Sequence, residues 1–503
     1  MHLNVTASIA EGALQGNWAN KLQVLIALLA GSVVLDAFAR PRSTLCRPLR
    51  SWTGTWVQFL LVGVAFGGFL TLSGNAFAAV ILTLVLVGLF TMISNVKQAI
   101  LGEPLVFTDL AMIVTVFRHP QFYFSALGTV QKGALALLVP LGCGLLWSLF
   151  LHGIEIRIFG AAIIAVLLIL IRLTVSRLSI GRQGGVPDLQ ADVLRDGLLP
   201  TLMFYWLSWR KSADPKPADP IRSNPSADEL AVLVQCESFA DPVELFANPN
   251  LELPGLAAAR KQAWQWGNLL VHGFGAYTMR TEYGVLFGRH EDELGYRRFD
   301  PFLTALKEGS FALPARLADG GWKSLFVHPH DLRFYNRNNI MRCSGFEALV
   351  GEDGFPAGAP QDGRYVSDAS VGEKIASLGA AAVEPTLIYA VTIENHGPWA
   401  SDRGKGNLMD EYMRLVRRGD DMLASLIKQL AGMKRPATLV FFGDHRPSIP
   451  GYTDPTGPRH TPYVIMRFDS EGKLLPGTDG SIDLSPAALH HRLIDLWTAD
   501  EGS

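Results

Sequence analysis

The sequence predicts a chain of two parts, a multi-span α-helical membrane domain followed by an α/β sandwich domain. Of the 503 residues, 49% are hydrophobic and 18% are charged, and the mean hydropathy is +0.21. The chain is too apolar for an ordinary soluble protein and too charged for a pure membrane channel, which places the two characters in different stretches. Uncharged runs fall within residues 1–180, whereas short aliphatic runs and helical patterns alternate within residues 229–503.

Charge and cysteine content argue against several classes of protein. Lys plus Arg (44) nearly balance Asp plus Glu (46), and the net charge of -2 gives no support for binding of nucleic acid. The four cysteines, Cys46, Cys143, Cys236 and Cys343, are scattered and form no C-x-x-C pair. Neither a zinc ribbon nor a disulfide scaffold is supported by this spacing.

Five membrane spans are expected in the membrane domain. Residues 51–96 carry no charge, and as one helix they would reach about 69 Å, about twice the ~30 Å hydrocarbon core. We therefore expect two spans here, with a turn near Ser73, Gly74 and Asn75. Three further uncharged runs predict the remaining spans, at residues 22–35, 133–154 and from 158 up to Arg172, whose charged end can reach the membrane surface.

The orientation of these spans is ambiguous from charge. Arg40, Arg42, Arg47 and Arg50 lie between the first two spans, and the positive-inside rule places such a loop in the cytoplasm. By parity, the chain after the fifth span would then be cytoplasmic as well. The opposite orientation places Lys21 inside and the arginine loop outside.

Residues 181–228 are expected to connect the two domains. The stretch 198–209 is apolar, aromatic and too short to span a membrane, which favours an interfacial helix over a buried core helix. Residues 211–228 contain four prolines and no apolar periodicity, as in extended linkers. The α/β domain is therefore expected to begin at residue 229.

The α/β domain is expected to contain a largely parallel sheet, because strand and helix patterns alternate. The strand runs are 231–235, 325–327, 386–393, 437–442 and 463–466, and helical patterns include 301–318 and 411–433. In open α/β sheets, ligands bind beyond the carboxyl ends of the strands. Ionisable side chains follow three of these runs: Glu237 after the first, Glu394 and His396 after the third, and Asp444 and His445 after the fourth.

Glu237, Asp444 and His445 make a candidate metal site with three ligands and an open position, because divalent cations accept carboxylate oxygen and imidazole nitrogen. Each residue alone also fits a structural role, as a salt bridge or a helix cap. Thr278 is the candidate nucleophile, since a hydroxyl bound to a cation loses its proton more readily. The alternative is that Thr278 only caps a helix beginning near Met279.

Five short motifs together resemble a known family. They are ESF at Glu237, YTMRTEY around Thr278, FYNRNNIM from Phe334, ENHGP around His396 and GDHRPS around Asp444. In order, spacing and strand context, this set is similar to the lipoteichoic acid synthase-like phosphoglycerol transferases, members of the sulfatase and alkaline phosphatase superfamily. The resemblance implies an alkaline phosphatase-like fold for residues 229–503.

The resemblance also implies roles for individual residues. Glu237, Thr278, Asp444 and His445 would hold one divalent cation, Mn²⁺ or Mg²⁺ with Zn²⁺ as a further candidate, and Thr278 would be the nucleophile. Four other residues would bind the substrate: Arg337 and His396 at the phosphoryl group and glycerol, Tyr335 where many relatives carry tryptophan, and His328 near the pocket.

The implied reaction transfers phosphoglycerol from phosphatidylglycerol in the bilayer to a glycan acceptor through a threonine-linked intermediate. It implies a bacterial inner-membrane protein with a periplasmic catalytic domain, and hence the arginine loop outside. A phosphoethanolamine transferase, a phosphodiesterase and a scaffold with a relic site remain alternatives. Residues 278–281 lack the Cys/Ser-x-Pro-x-Arg motif of a sulfatase, and the soluble half lacks the several cysteines typical of phosphoethanolamine transferases.

Overall fold

The computed structural model describes residues 18–42, 50–110, 153–178, 186–356, 365–399, 407–477 and 480–498, together with scattered positions between 133 and 150. Within it the chain forms two compact units, Met1–Lys211 and Ser212–Ser503. The predicted fold class, a helical membrane part followed by an α/β domain, is confirmed.

The first unit is helical. Its helices in the described part of the chain are α1 (Trp18–Ala37), α2 (Trp52–Ser73), α3 (Ala76–Leu101), α4 (Ile154–Leu178), α5 (Leu189–Asp196) and α6 (Leu198–Lys211). Three of them, α2, α3 and α4, are long and apolar enough to cross a membrane, and the apolar part of α1, Leu22–Ala37, is shorter. The predicted span at 133–154 is described only at scattered positions and stays a prediction.

The turn between α2 and α3 is where the sequence predicts it. Gly74 ends α2 in the left-handed conformation (φ 66°), which glycine adopts without steric cost. Asn75 then caps α3, because its side-chain oxygen accepts hydrogen bonds from the amides of Phe77 (2.9 Å) and Ala78 (3.3 Å). This cap and the left-handed glycine split the uncharged run into two spans.

The end of the arginine loop packs against α5 and α6. Arg50 forms an ion pair with the Asp36 carboxylate at 2.8 Å, and the other oxygen of Asp36 accepts the amide of Leu198 at 2.9 Å. The Ser51 hydroxyl donates to Asp196 at 2.6 Å. The end of α1, the start of α2 and the segment by which the chain leaves this unit therefore lie on one face.

The other end of α2 packs against the start of α4. Arg157 donates to the carbonyl oxygens of Thr71 (3.1 Å) and Leu72 (2.6 Å), whereas the Trp56 indole donates to Thr174 at 3.2 Å. Helices α2 and α4 are thus antiparallel, and α4 ends on the face that carries Arg50.

The second unit is built on a seven-stranded sheet. Its strands are β1 (Leu230–Cys236), β2 (Gln265–Leu269), β3 (Lys323–Val327), β4 (Ala348–Val350), β5 (Thr386–Val391), β6 (Ala437–Gly443) and β7 (Thr461–Phe468). Its α-helices are α7 (Pro242–Leu245), α8 (Pro254–Gln262), α9 (Thr278–Phe287), α10 (Glu291–Leu294), α11 (Leu313–Leu317), α12 (Arg337–Cys343), α13 (Asp368–Ala381), α14 (Leu408–Gly432) and α15 (Pro486–Thr498).

The sheet is largely parallel, as predicted. Its order is β2-β7-β6-β1-β5-β3-β4, and β7 alone runs against the other described strands. The central strand β1 is buried along its whole length, which accounts for its continuous apolar sequence. Alternate β1 residues pack with α8, α13 and α14 in one core, whereas Gln235 faces α9 on the other side.

Five strands and helix α14 match the predicted runs, but the predicted helix at 301–318 is wrong. The chain there forms three 3₁₀ turns, Pro301–Leu303, Ala305–Lys307 and Gly309–Phe311, before the short α11. Glu308 lies between these turns, fully buried, and accepts hydrogen bonds from Tyr283, Arg289, Arg297 and Thr304. These tertiary contacts override the apolar spacing, and Gly309 weakens the helix further.

Candidate active site

The carboxyl ends of β1 and β6 bring two carboxylates together. The strands are parallel and put Cys236 opposite Gly443, so the next residues, Glu237 and Asp444, leave the sheet side by side. Backbone amides fix both loops: Ser238 and His445 donate to one oxygen of Asp444 at 2.7 and 2.8 Å. Ser238 adopts a left-handed conformation (φ 51°), a strained geometry that functional sites commonly hold.

Three of the predicted metal ligands meet in this structure. Nε2 of His445 lies 3.5 Å from Oε1 of Glu237 and 3.4 Å from Oδ2 of Asp444. All three side chains are buried, and their ligand atoms lie within 4.8 Å of one another. Two ligands about 2.1 Å from one cation lie at most about 4.2 Å apart, so the separations of 3.5 and 3.4 Å between His445 and the two carboxylates suit a shared ion.

Two observations show that this cluster fits a divalent cation. Oδ2 of Asp444 is buried and has no hydrogen-bond partner among the described residues, although a buried carboxylate oxygen normally has one. Burial, together with the Asp444 charge, raises the pKa of Glu237 to about 8. A cation that neutralises both carboxylates removes the repulsion and satisfies the unpaired oxygen.

The candidate nucleophile faces this cluster. Helix α9 begins at Thr278, and no side chain caps its start, so Thr278 is a helical residue and not the cap considered above. The Thr278 hydroxyl is 3.4 Å from Oε2 of Glu237. Gln235 holds the start of the helix, because its side-chain amide donates to the Thr278 carbonyl (3.3 Å) while its oxygen accepts from Tyr389 (2.9 Å).

Arg337 is fixed by a carboxylate from the same helix that carries Thr278. Nε and Nη2 of Arg337 donate to Glu282 at 3.1 and 2.7 Å, and both side chains are almost completely buried. Glu282 follows Thr278 by four residues, so the two side chains share one face of α9. Tyr335 and Asn336, both left-handed (φ 56°), turn the chain just before Arg337.

His328 is a neutral partner of Arg337. Burial and the adjacent guanidinium hold the pKa of His328 well below its usual range. Arg337 donates to Nε2 of His328 at 3.3 Å, which leaves the proton on Nδ1, where it is donated to the Val391 carbonyl at 2.9 Å. The pair thus presents one positive charge.

Tyr335 and His396 are the two remaining predicted substrate-binding residues. The Tyr335 ring lies 5.1 Å from the Arg337 guanidinium. The His396 ring is exposed, and its Nδ1 lies 2.7 Å from the Gly397 carbonyl. It packs edge-on against Tyr365 at 5.9 Å, and Tyr365 packs against His330 at 6.3 Å.

The structure therefore gathers four of the predicted residues in one cluster: Glu237, Thr278, Asp444 and His445. A second group contains Arg337, His328 and Tyr335. His396 belongs to neither group and packs against Tyr365. Sequence reasoning missed Glu282, Gln235 and Thr392, whose hydroxyl accepts the Glu237 amide at 3.0 Å. Of these three residues, only Glu282 could have been found from the sequence, because its i+4 spacing from Thr278 places both residues on one face of a helix.

Metal depletion should destabilise the protein, most at alkaline pH. The pKa of Glu237 is about 8 when folded against an ordinary value near 4.5, so the free energy of unfolding of chelated protein falls as pH rises between those values. We expect the Tm in EDTA to be lower at pH 8 than at pH 6. A cation at a hundredfold excess over its Kd should restore about 2.7 kcal/mol. Asp444→Asn removes the repulsion and a ligand, so an unchanged response to Mn²⁺ in that variant would contradict the assigned site.

A family model described as Sulfatase matches residues 229–492, more than half of the chain. The chain therefore belongs to the sulfatase family. The match covers every strand described above, and it contains Glu237, Thr278, Asp444 and His445.

Two proteins of Rhizobium meliloti (strain 1021) are similar in sequence. The capsular polysaccharide biosynthesis protein RkpI is 29% identical over 439 residues, 81% of this chain and 80% of its own length. A putative cyclic beta-1,2-glucan modification protein is 26% identical over 295 residues, 52% of this chain and 45% of its own. The chain thus covers less than half of the second protein.

One solved structure is similar in fold along nearly the whole chain. The lipooligosaccharide phosphoethanolamine transferase A (EptA) of Neisseria meningitidis, an integral membrane protein, matches 94% of this chain and 92% of its own. The TM-score is 0.52 at 12% identity, which shows the fold alone. The chain is an enzyme of the sulfatase and alkaline phosphatase superfamily that carries membrane helices.

Proposed function

We propose that this enzyme transfers phosphoglycerol from phosphatidylglycerol to a glycan through a covalent intermediate on Thr278. The observation that carries the proposal is the buried cluster in which the Thr278 hydroxyl lies 3.4 Å from Glu237, itself 3.5 Å from His445. An alcohol beside two carboxylates and an imidazole that could hold a divalent cation suits phosphoryl transfer, because that reaction needs mainly positioning and positive charge, which the cation and Arg337 would supply.

In the first step, the Thr278 hydroxyl gives up its proton and Oγ1 attacks phosphorus as the bond from phosphorus to the diacylglycerol oxygen breaks, and that oxygen takes up a proton. Arg337 binds the phosphoryl oxygens, and Glu282 holds the guanidinium in place. A cation held by Glu237, Thr278, Asp444 and His445 supplies Lewis acidity when bound. In the second step, an acceptor hydroxyl gives up its proton and attacks phosphorus, the bond from phosphorus to Oγ1 of Thr278 breaks, and Oγ1 takes up a proton. His396 is proposed to exchange these protons at the rim.

The glycan acceptor is supported by the two relatives, which are named for capsular polysaccharide biosynthesis and for cyclic glucan modification. The glycerol headgroup is supported by the five-motif resemblance around Thr278. Both assignments go beyond the superfamily, and one experiment separates the donors.

That experiment is intact-mass analysis after exposure to lipid. Purified protein incubated with phosphatidylglycerol liposomes and Mn²⁺, without acceptor, should gain the mass of one glycerophosphoryl group, which peptide mapping should place on Thr278. Phosphatidylethanolamine liposomes serve as the matched arm. A phosphoethanolamine adduct found only in that arm would replace the donor assignment, and lipid cleavage without an adduct in either arm would indicate a phosphodiesterase.

We also propose the division into a membrane domain (1–180), an interfacial helix and linker (181–228) and a periplasmic catalytic domain (229–503). The boundary between the compact units, Lys211 to Ser212, falls inside this linker. The outside location of the arginine loop is supported by the five-motif resemblance alone, against the charge bias of that loop.

A labelling experiment tests on which side of the inner membrane the catalytic domain lies. Cys343 is exposed, so a variant that keeps Cys343 alone should react in intact cells, made permeable only in the outer membrane, with a maleimide that cannot cross the inner membrane. Cys343→Ser in that background is the control for specificity. Labelling that requires rupture of the inner membrane would place the catalytic domain in the cytoplasm.

A further inference from the structure

A second polar cavity lies across helix α9 from the candidate active site. It has a volume of about 140 Å³, and Arg280, Tyr283 and Gly284 of α9 form one wall. Thr278 and Glu282 belong to the other face of the same helix, where they meet Glu237 and Arg337. The cavity is therefore separate from the candidate metal ligands Glu237, Asp444 and His445, although one helix borders both.

Three guanidinium groups line this cavity, and they come from different segments. Arg280 belongs to α9, Arg289 follows that helix, and Arg298 lies in the turn after α10. His272 and His290 also line it. The lining acids are Glu291 and Asp292, of which Asp292 is 79% exposed and lies 3.9 Å from Arg298.

Contacts within the protein hold each guanidinium in place. Arg280 donates to the Phe299 carbonyl at 3.2 Å and stacks on the Tyr277 ring at 4.0 Å. Arg289 pairs with Glu308 at 2.5 Å, and Arg298 pairs with Glu291 at 2.7 Å. Side chains fixed in this way lose little further entropy when they bind an anion.

Glu291 is the less exposed acid of the lining, with its side chain 10% exposed. Burial alone would raise the pKa of Glu291, but His272, Arg298 and Arg280 together hold it below its ordinary value. His272 lies 2.5 Å from Glu291. At the position of Glu291 the cationic groups therefore outweigh the effect of burial.

We infer that this cavity is a second anion site that binds a phosphate group, as a monoester or diester, independently of the reaction at Thr278. Fixed guanidinium forks match the geometry of phosphate oxygens. At ~30 Å³ per water-sized group the cavity has room for about five such groups, the number of heavy atoms in phosphate. The phosphate has two sources, a lipid headgroup and a phosphorylated sugar.

Binding of radiolabelled inorganic phosphate to the full-length protein in detergent and EDTA tests the inference. Chelation removes any phosphate held through a cation, so one phosphate per chain should remain bound. Arg298→Gln and Arg289→Gln should each weaken that binding at least tenfold, because each removes a charged hydrogen-bond donor to the phosphate oxygens. Both variants should fold, since Glu291 keeps His272 and Glu308 keeps Arg297 as partners.

Arg333→Gln is the matched control, because Arg333 is 84% exposed and pairs only locally with Asp331; it should bind as the wild type does. Loss of all binding in EDTA, or wild-type affinity in both cavity variants, would overturn the inference. Competition then identifies the source: stronger displacement by glycerophosphoglycerol indicates the lipid headgroup, and stronger displacement by glucose 6-phosphate indicates a glycan. Failure of both to displace phosphate would also overturn it. None of these results depends on transfer by Thr278.

Discussion

Thr278→Ala should reduce turnover of phosphatidylglycerol by roughly 10³-fold or more, because it removes the atom that forms the covalent bond. The fold should tolerate the change, since the Thr278 hydroxyl has one weak contact, at 3.4 Å from Glu237, and its loss should cost at most about 1 kcal/mol. Release of labelled diacylglycerol measures the activity, and the Tm measures the stability.

Thr281→Ala provides a matched control in the same helix. The Thr281 hydroxyl donates to the backbone carbonyl of Asp444 at 2.7 Å and is buried. Its loss should cost about 1–3 kcal/mol of stability while leaving most of the activity. If Thr278→Ala retained more activity than Thr281→Ala, Thr278 would not be the nucleophile.

Arg337→Met should both inactivate and destabilise the protein. It leaves the carboxylate of Glu282 buried and without its three hydrogen bonds from Arg337, and breaking a buried pair in this way costs about 3–5 kcal/mol. Activity should fall by roughly 10²-fold or more beyond what unfolding explains, because the phosphoryl oxygens lose their guanidinium. Thermal unfolding and turnover at a temperature where the variant is folded measure the two effects.

The double variant Arg337→Met with Glu282→Gln separates the two effects. Without the buried charge, much of the lost stability should return, as when buried ion pairs are replaced by neutral groups. Activity should stay low, because the guanidinium is still missing. Recovery of activity together with stability would show that Arg337 acts only as a structural partner of Glu282.

The sequence predicts the elements that local pattern controls. Continuous apolar runs predict the buried strands, and residues placed directly after them, such as Glu237 and Asp444, are predictable because parallel strands share one edge. Strand β2 was missed because its sequence QWGNL mixes polar and apolar residues, and its Gly267 is required by a close approach of the Ile482 carbonyl. The helix expected at 301–318 failed because a buried carboxylate, Glu308, organises that segment through distant partners.

The supporting contacts of the site are set by tertiary structure and have little local signal. Nothing in the order of residues shows that Gln235 reaches the Thr278 carbonyl or that His328 is neutral beside Arg337. Likewise, the cavity beyond α9 unites arginines whose individual patterns are those of surface residues. The contacts and pKa of these side chains depend on how deeply they are buried, and that burial depends on the fold of the whole domain.

The Ser238 amide and the Asp444 carboxylate that it supports are 206 positions apart in the chain. Because the entropy of closing so long a loop has to be overcome before this contact forms, a partly synthesised domain lacks the assembled cluster of Glu237, Asp444 and His445. The chemistry proposed for this site is therefore available only after β6, which delivers Asp444, has joined the sheet beside β1.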